Sequence, residues 1–339
     1  MLKEIPRIED EKEKEKDPSV ARDYATYHKL SSLICGLKPS NTIIVSDMTG
    51  TLLHQTESGF PESERTLIKQ LLDEGASLVL VTGDALQTVK DTFLERLDYS
   101  GPGIILLVTG SGYQITSVEN GTNELIFRGK EIDINDRKQL LSVIEDLIQS
   151  HCDKDFHFTD TQKSVFFHGE GKRLDLKEQL DGRSSRFLVE IVPNKVNIYF
   201  PDSPRSEEKD SELLVLLESH PTVQEIAEEK GLHVVRGPNF VDIISSRKEE
   251  GLAALLSLPQ GVALESSRRN IVILGDSMND EGILCFNWES SGQIVKVFVG
   301  DDDKFVAKVN PHGSPNFIYL KDEYIEGSQL LMQLLAINI

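Results

Sequence analysis

The sequence predicts an α/β fold, a parallel-sheet core carrying an inserted α+β domain, and three observations predict it. Short β-branched apolar runs alternate with stretches of helical periodicity at both ends of the chain. Three of those runs end in a polar residue, at Asp47, Thr82 and Asp276. Between the two α/β stretches, residues 113–245 change texture: short apolar runs are separated by turn residues, as in Val192-Pro193-Asn194-Lys195-Val196, a hairpin pattern that suits an antiparallel sheet. A chain of 339 residues also exceeds the ~150 residues of an average domain.

The elements follow in order. Residues 1–16 contain eleven charged side chains and read as a solvated tail or frayed helix. From Asp17 to about Leu37 the spacing of Tyr24, Tyr27, Leu30, Leu33 and Ile34 predicts a helix, started at Asp17-Pro18. Residues 1–40 are thus expected to form a helical extension. The run Thr42–Ser46 predicts a buried parallel strand ending at Asp47. A helix at 61–74 closed by Gly75, a strand at 76–81 ending in Thr82-Gly83-Asp84, a helix at 85–97 and a strand at 103–108 continue the alternation. In the insert, 124–128, 164–168, 187–192, 196–200 and 233–244 read as strands, and 135–150 and 209–230 as helices. The alternation resumes with a helix at 249–258, strands at 270–274 and 294–299, and a terminal helix at 326–336. The core is therefore expected over 41–112 and 246–339, with the insert at 113–245.

Composition narrows the function. With 36 basic and 56 acidic residues the formal charge is −20, which repels phosphate backbones and anionic membranes, so neither nucleic acid nor membrane is an expected partner. No apolar run approaches the ~20 residues of a membrane span, and the charged N-terminus has no signal-peptide core. Cys35, Cys152 and Cys285 lie far apart without CxxC spacing, so they are expected as free thiols in a cytoplasmic, reducing compartment. The eight histidines show no metal-ligand spacing; His157, His168 and His233 are read as structural or exposed, Asp301-Asp302-Asp303 as a solvated loop, and Phe286 and Trp288 as core.

Ligands of open α/β sheets bind outside the carboxyl ends of the strands. Asp47, Thr82 and Asp276, with Asp280 four residues on, are expected to converge there. Crowded carboxylates repel unless a cation lies among them, and oxygen ligands of this kind suit Mg²⁺, which binds one or two carboxylates plus substrate phosphate oxygens. A carboxylate beside Mg²⁺ can attack phosphorus to form an aspartyl-phosphate, while the metal and a lysine neutralise charge on the transferring group. Thr82 and the amides of the Gly50 turn are candidates for the remaining phosphate oxygens.

Asp47-Met48-Thr49-Gly50-Thr51, Val81-Thr82-Gly83 and Gly275-Asp276-Ser277-Met278-Asn279-Asp280 resemble the first, second and fourth motifs of the haloacid dehalogenase (HAD) superfamily. Their order and the insert after the second motif are similar to its C2B-capped phosphatases, the Cof-type, sucrose-phosphate and trehalose-phosphate enzymes. The resemblance covers about 41–339 and implies a Rossmannoid core with a C2B-type cap. It further implies a Mg²⁺-dependent phosphohydrolase of a small phosphorylated metabolite, foremost a sugar phosphate, working through an aspartyl-phosphate. Carried over, Asp47 is the nucleophile. Asp47, the Thr49 carbonyl and Asp276 hold Mg²⁺, with Asp280 supporting or joining them. Thr82 and Gly83 bind phosphate, and Ser277 and Asn279 shape the metal turn.

Three departures qualify this expectation. The family's phosphatases carry a second Asp two residues after the nucleophile as general acid and base, and Thr49 occupies that place; a threonine does not take a proton from water at neutral pH. The DxTGT string is similar to that of P-type ATPases, yet the chain has no membrane span to make a pump. The third-motif lysine precedes a glycine in the family, whereas Gly251 is preceded by Glu250; Lys248, two residues earlier, takes the role here, with a surface lysine as the bland alternative. Asp84 stands where an arginine often follows Thr-Gly, and a helix N-cap is its simple reading, as it is for Thr82. Slow hydrolysis, phosphoryl transfer to another acceptor or a phosphoprotein substrate, and a weakened scaffold that binds a phosphometabolite, or a protein partner through the N-terminal extension, remain open.

Overall fold

The computed structural model describes residues 18–53, 60–152, 154–167, 172–180, 183–200, 208–237, 239–266, 269–290, 292–321 and 324–337. The expected tail at 1–16 lies outside them. In chain order the elements are α1 (Pro18–Ile34), β1 (Thr42–Ser46), α2 (Glu62–Asp73), β2 (Ser77–Val81), α3 (Leu86–Val89, a π turn Lys90–Leu94, then Glu95–Leu97), β3 (Ile104–Thr109), β4 (Gln114–Glu119) and β5 (Thr122–Arg128). There follow α4 (Ile134–His151), α5 (Asp160–Phe167), β6 (Lys172–Leu180), β7 (Arg183–Val192), β8 (Lys195–Tyr199), α6 (Glu208–Glu218), α7 (Pro221–Lys230), β9 (His233–Arg236) and β10 (Phe240–Ile244). The chain ends with α8 (Lys248–Ser257), α9 (Pro259–Ser266), β11 (Asn270–Gly275), α10 (Glu281–Leu284), β12 (Ile294–Phe298), α11 (Asp303–Val309), β13 (Phe317–Tyr319) and α12 (Tyr324–Ile337).

Two compact units result. The first holds the described residues up to Thr109, Thr116–Ile126, and those from Leu252 onward; the second holds Gly110–Ile115 and Phe127–Gly251. The first unit is built on an eight-stranded sheet of order β13-β12-β11-β1-β2-β3-β4-β5. Every pairing from β13 to β3 is parallel. Every residue of β1 and of β2 is buried, the pattern of strands covered on both faces. Leu30 and Ile34 of α1 sit in the same core as Leu71, Leu72, Leu331 and Leu335, and the Lys29 ammonium donates to the Phe317 carbonyl at 2.9 Å. The apolar face of the N-terminal helix is therefore part of the core. No helix among the described residues is long and apolar enough to cross a membrane.

The second unit is a five-stranded sheet of order β6-β7-β8-β10-β9, antiparallel throughout, with its own core. Val189, Ile191, Val196, Ile198, Val241 and Ile243 on one face of that sheet pack with Leu140, Ile144, Leu214 and Val223 of the helices. On the neighbouring positions Lys195 Nζ meets Glu190 Oε2 at 2.6 Å, with 11% and 18% of the side chains exposed. Burial alone raises the Glu190 pKa, but the Lys195 charge and hydrogen bond, helped by Arg173, outweigh it and hold the carboxyl below the usual glutamate range. Stability from this group is therefore present above the ordinary glutamate pKa and is lost as pH falls through the lowered one. Lys195→Met leaves a near-buried carboxylate without this partner, and urea denaturation is expected to show a loss of about 3 kcal/mol.

Several expectations are corrected. Ser164–Phe167 is helical, not a strand, and His168 lies outside the described residues. The reciprocal cap of Thr159 and Gln162 starts α5: the Thr159 amide donates to Gln162 Oε1 at 2.8 Å and the Gln162 amide to Thr159 Oγ1 at 3.2 Å. The strand of this region is β6, whose Leu174 and Leu176 alternate with charged residues. The expected helix at 209–230 is two, because Pro221 cannot continue a helix; His220 caps the second by accepting from the Thr222 amide. The run 233–244 is the hairpin β9–β10. Five further elements, β4, α9, α10, α11 and β13, had no strong sequence signal. Asp302 caps α11, accepting from the amides of Lys304 and Phe305, and Trp288 is buried while Phe286 is half-buried.

Candidate active site

Ser46 at the end of β1 is level with Leu274 on β11 and with Leu80 on β2. Asp47, Asp276 and Thr82 therefore leave the sheet at one carboxyl edge. The Asp47 amide still holds the sheet, donating to the Leu274 carbonyl at 3.2 Å. The chain then curls tightly: the amides of Leu52 and Leu53 donate to the Met48 carbonyl, and the Gly50 amide donates to Leu53 O at 2.7 Å. Gly50 makes this turn with φ +91°, a conformation that favours glycine. Its amide, a sequence candidate for phosphate, is thus engaged within the loop.

The loop after β11 is organised by Asp280, which is fully buried. One oxygen, Oδ2, accepts from the Asp276 amide at 3.0 Å, the Ser277 amide at 3.1 Å and the Ser277 hydroxyl at 3.3 Å. Gly275 is required here for space, since an added Cβ would lie 2.6 Å from Asp280 Cβ. Gly275→Ala is expected to cost about 1–3 kcal/mol by overpacking, read in thermal denaturation, and to weaken Mg²⁺ binding in titration, because Asp280 must move. Asp276 is oriented from the β1 loop as well: the buried Thr51 hydroxyl donates to Asp276 Oδ1 at 3.1 Å. The sequence signal for Thr51 is a hydroxyl four residues past the strand-end acid.

Asp47, Asp276 and Asp280 are all buried, and each offers a carboxylate oxygen within 4.8 Å of the others. At that spacing each pair of like charges repels by about 3 kcal/mol at an effective dielectric near 20. A hard divalent cation relieves the repulsion, and an all-oxygen set of buried carboxylates has the donor chemistry Mg²⁺ selects. The residues fit the ion.

Thr82 is buried and Thr49 is exposed, and both hydroxyls donate to one oxygen of Asp84: Thr82 Oγ1 at 3.2 Å and Thr49 Oγ1 at 3.3 Å from Oδ2. The Asp84 amide returns a bond to Thr82 Oγ1 at 3.1 Å. Asp84 caps no helix; Ala85 holds that place without a side-chain bond. Gly83 lies between them and is half-buried. Lys248 opens α8, is 9% exposed and belongs to the second unit. Glu250, which an ungapped motif match sets in the lysine position, is committed locally: it accepts from the Arg247 amide at 3.0 Å and meets His233 Nε2 at 3.0 Å.

A parallel sheet with three buried carboxylates converging beyond its carboxyl edge defines the class, an α/β protein with an acidic centre that could hold a cation. The sequence profile of the haloacid dehalogenase-like hydrolases matches residues 44–286, well over half of the chain, and the chain belongs to that family. No curated protein matches it in sequence. Among solved structures, a haloacid dehalogenase-like hydrolase from Bacteroides thetaiotaomicron is similar at a TM-score of 0.50 and 15% identity, over 87% of this chain and 99% of that one. A protein from Eubacterium rectale is similar at 0.50 and 16%, over 88% and 99%. The trehalose-6-phosphate phosphatase of Aspergillus fumigatus matches at 0.49 and 11%, over 92% and 98%. At these identities the likeness is one of fold: a Rossmannoid HAD-like core with an inserted α+β domain.

Proposed function

We propose that this chain is a Mg²⁺-dependent phosphohydrolase that cleaves a small phosphorylated metabolite, a sugar phosphate foremost, by way of a phosphoryl group carried on Asp47. The observation that carries the reading is the meeting of three buried carboxylates within 4.8 Å at the strand ends. Asp47, Asp276 and the Thr49 carbonyl are the residues that would hold Mg²⁺, with Asp280 fixing the loop that presents Asp276. The ion, when bound, neutralises charge on the phosphate and lets an anionic carboxylate approach it.

The residues then act in sequence. An Asp47 oxygen attacks phosphorus, the ester P–O bond breaks with its electron pair going to the leaving oxygen, and that oxygen takes a proton from solvent water. Gly83 and Lys248 are the candidates for the phosphate oxygens, since the single proton of the Thr82 hydroxyl is given to Asp84. Water attacks the same phosphorus, the bond to Asp47 breaks, and the carboxylate is restored as phosphate leaves. Thr49 contributes no proton acceptor to that second step. The lack of CxxC spacing among Cys35, Cys152 and Cys285 supports a cytoplasmic setting. The sugar-phosphate preference rests on the motif resemblance to C2B-capped phosphatases.

A panel of sugar phosphates and other phosphate monoesters assayed with Mg²⁺ tests the reading, with turnover of at least one sugar phosphate expected. A second reading, a weakened scaffold that binds a phosphometabolite without cleaving it, draws on the Thr49 substitution. It gains if nothing is turned over while a phosphate mimic still binds.

A further inference from the structure

We propose that Asp84 is the carboxylate that takes the proton from the water attacking the phosphoryl group on Asp47. The inference rests on the phosphohydrolase reading above and deepens it. The three carboxylates that cluster for the cation, Asp47, Asp276 and Asp280, are occupied as nucleophile, ligand and loop anchor, so the second step needs a proton acceptor from elsewhere. Asp84 is placed for it. It lies two residues past Thr82, at the end of the strand paired directly with β1. Its carboxylate is tied to the loop that follows the nucleophile through the Thr49 hydroxyl, 3.3 Å from Oδ2.

The geometry also fixes the carboxylate's direction. Both hydroxyl bonds fall on Oδ2, from Thr49 and from Thr82, and the Asp84 amide closes the turn onto Thr82 Oγ1. Oδ1 makes no bond with the described residues, and Asp84 is half-buried, so a water can be held there. Asp84 caps no helix, so capping does not account for the two hydroxyl bonds on Oδ2. In the step itself the water oxygen bonds to phosphorus, the phosphorus bond to the Asp47 oxygen breaks with its electron pair returning to Asp47, and the water proton passes to Asp84 Oδ1. Solvent then removes that proton.

The test uses the full chain with Mg²⁺ and p-nitrophenyl phosphate, whose leaving group departs without a proton donor, so formation and decay of the Asp47 adduct are read separately by acid quench. Asp84→Asn is close in shape to the native residue. It is expected to form the adduct at near the native rate and to lose it about 100-fold more slowly, the usual scale of a general base. Phosphorylated chain then accumulates while steady-state turnover falls. Adding Thr49→Asp to Asp84→Asn puts a carboxylate back beside the same loop and is expected to restore decay. Decay in Asp84→Asn within about threefold of native overturns the proposal. So does failure of Asp84→Asn to form adduct where the native chain does, which makes Asp84 a structural support, and so does slow decay that Thr49→Asp leaves unrescued. If the native chain neither turns over p-nitrophenyl phosphate nor forms adduct, the phosphohydrolase reading falls and takes this inference with it, a result distinct from the other three.

Discussion

Asp47→Asn is expected to remove phosphate-ester turnover by at least about 10⁴-fold, since loss of a covalent nucleophile is among the largest single-residue effects in catalysis. The amide keeps the side chain's shape and the backbone bond to Leu274, so the fold should persist. The variant should also lose the acid-trapped phosphoryl adduct, and both readouts are needed. A lowered rate with the adduct intact would place the phosphoryl group on another residue. A full rate would show that the strand-end acid only shapes the loop.

The second large effect concerns charge. Three carboxylates held within 4.8 Å repel, so the metal-free protein stores strain that Mg²⁺ relieves. Mg²⁺ is expected to raise the melting temperature, by about 2.7 kcal/mol of stability at one hundred times its dissociation constant, and chelation should abolish turnover. Asp276→Asn separates charge from shape: Asn retains an Oδ1 that accepts from Thr51. This variant is expected to stabilise the metal-free protein by about 1–3 kcal/mol through lost repulsion, while losing most of the Mg²⁺-induced shift and the activity. Destabilisation of the metal-free Asp276→Asn protein would show that the cluster is held by other contacts and does not need a cation.

The central strands of the first unit were legible in the sequence because they are buried on both faces, whereas β4, α9, α10, α11 and β13 of the same unit were not. Runs such as Thr42–Ser46 and Ser77–Val81 are continuous and end abruptly at Asp47 and Thr82, so strand ends and candidate acids coincide. Asp280 was found through its spacing from Asp276. The contacts that refine the site were not legible, because they join distant parts of the chain through loops. Thr51 reaches Asp276 across 225 positions and Thr49 reaches Asp84 across 35, and no local pattern encodes either. The insert was harder still. A Phe-rich stretch at 164–167 has strand-like composition, yet the Thr159–Gln162 cap turns it into a helix. The strand Lys172–Leu180 hides its apolar alternation among charges. Pro221 was read through, although it divides two helices.

A crystal structure with Mg²⁺ and beryllofluoride, a mimic of a carboxylate-bound phosphoryl group, tests the central claim most directly. The account predicts one Mg²⁺ ligated by Asp47 and Asp276 with beryllofluoride seated on the Asp47 carboxylate. Mg²⁺ bound away from these residues, or beryllofluoride absent from Asp47 at saturating concentration, would contradict it.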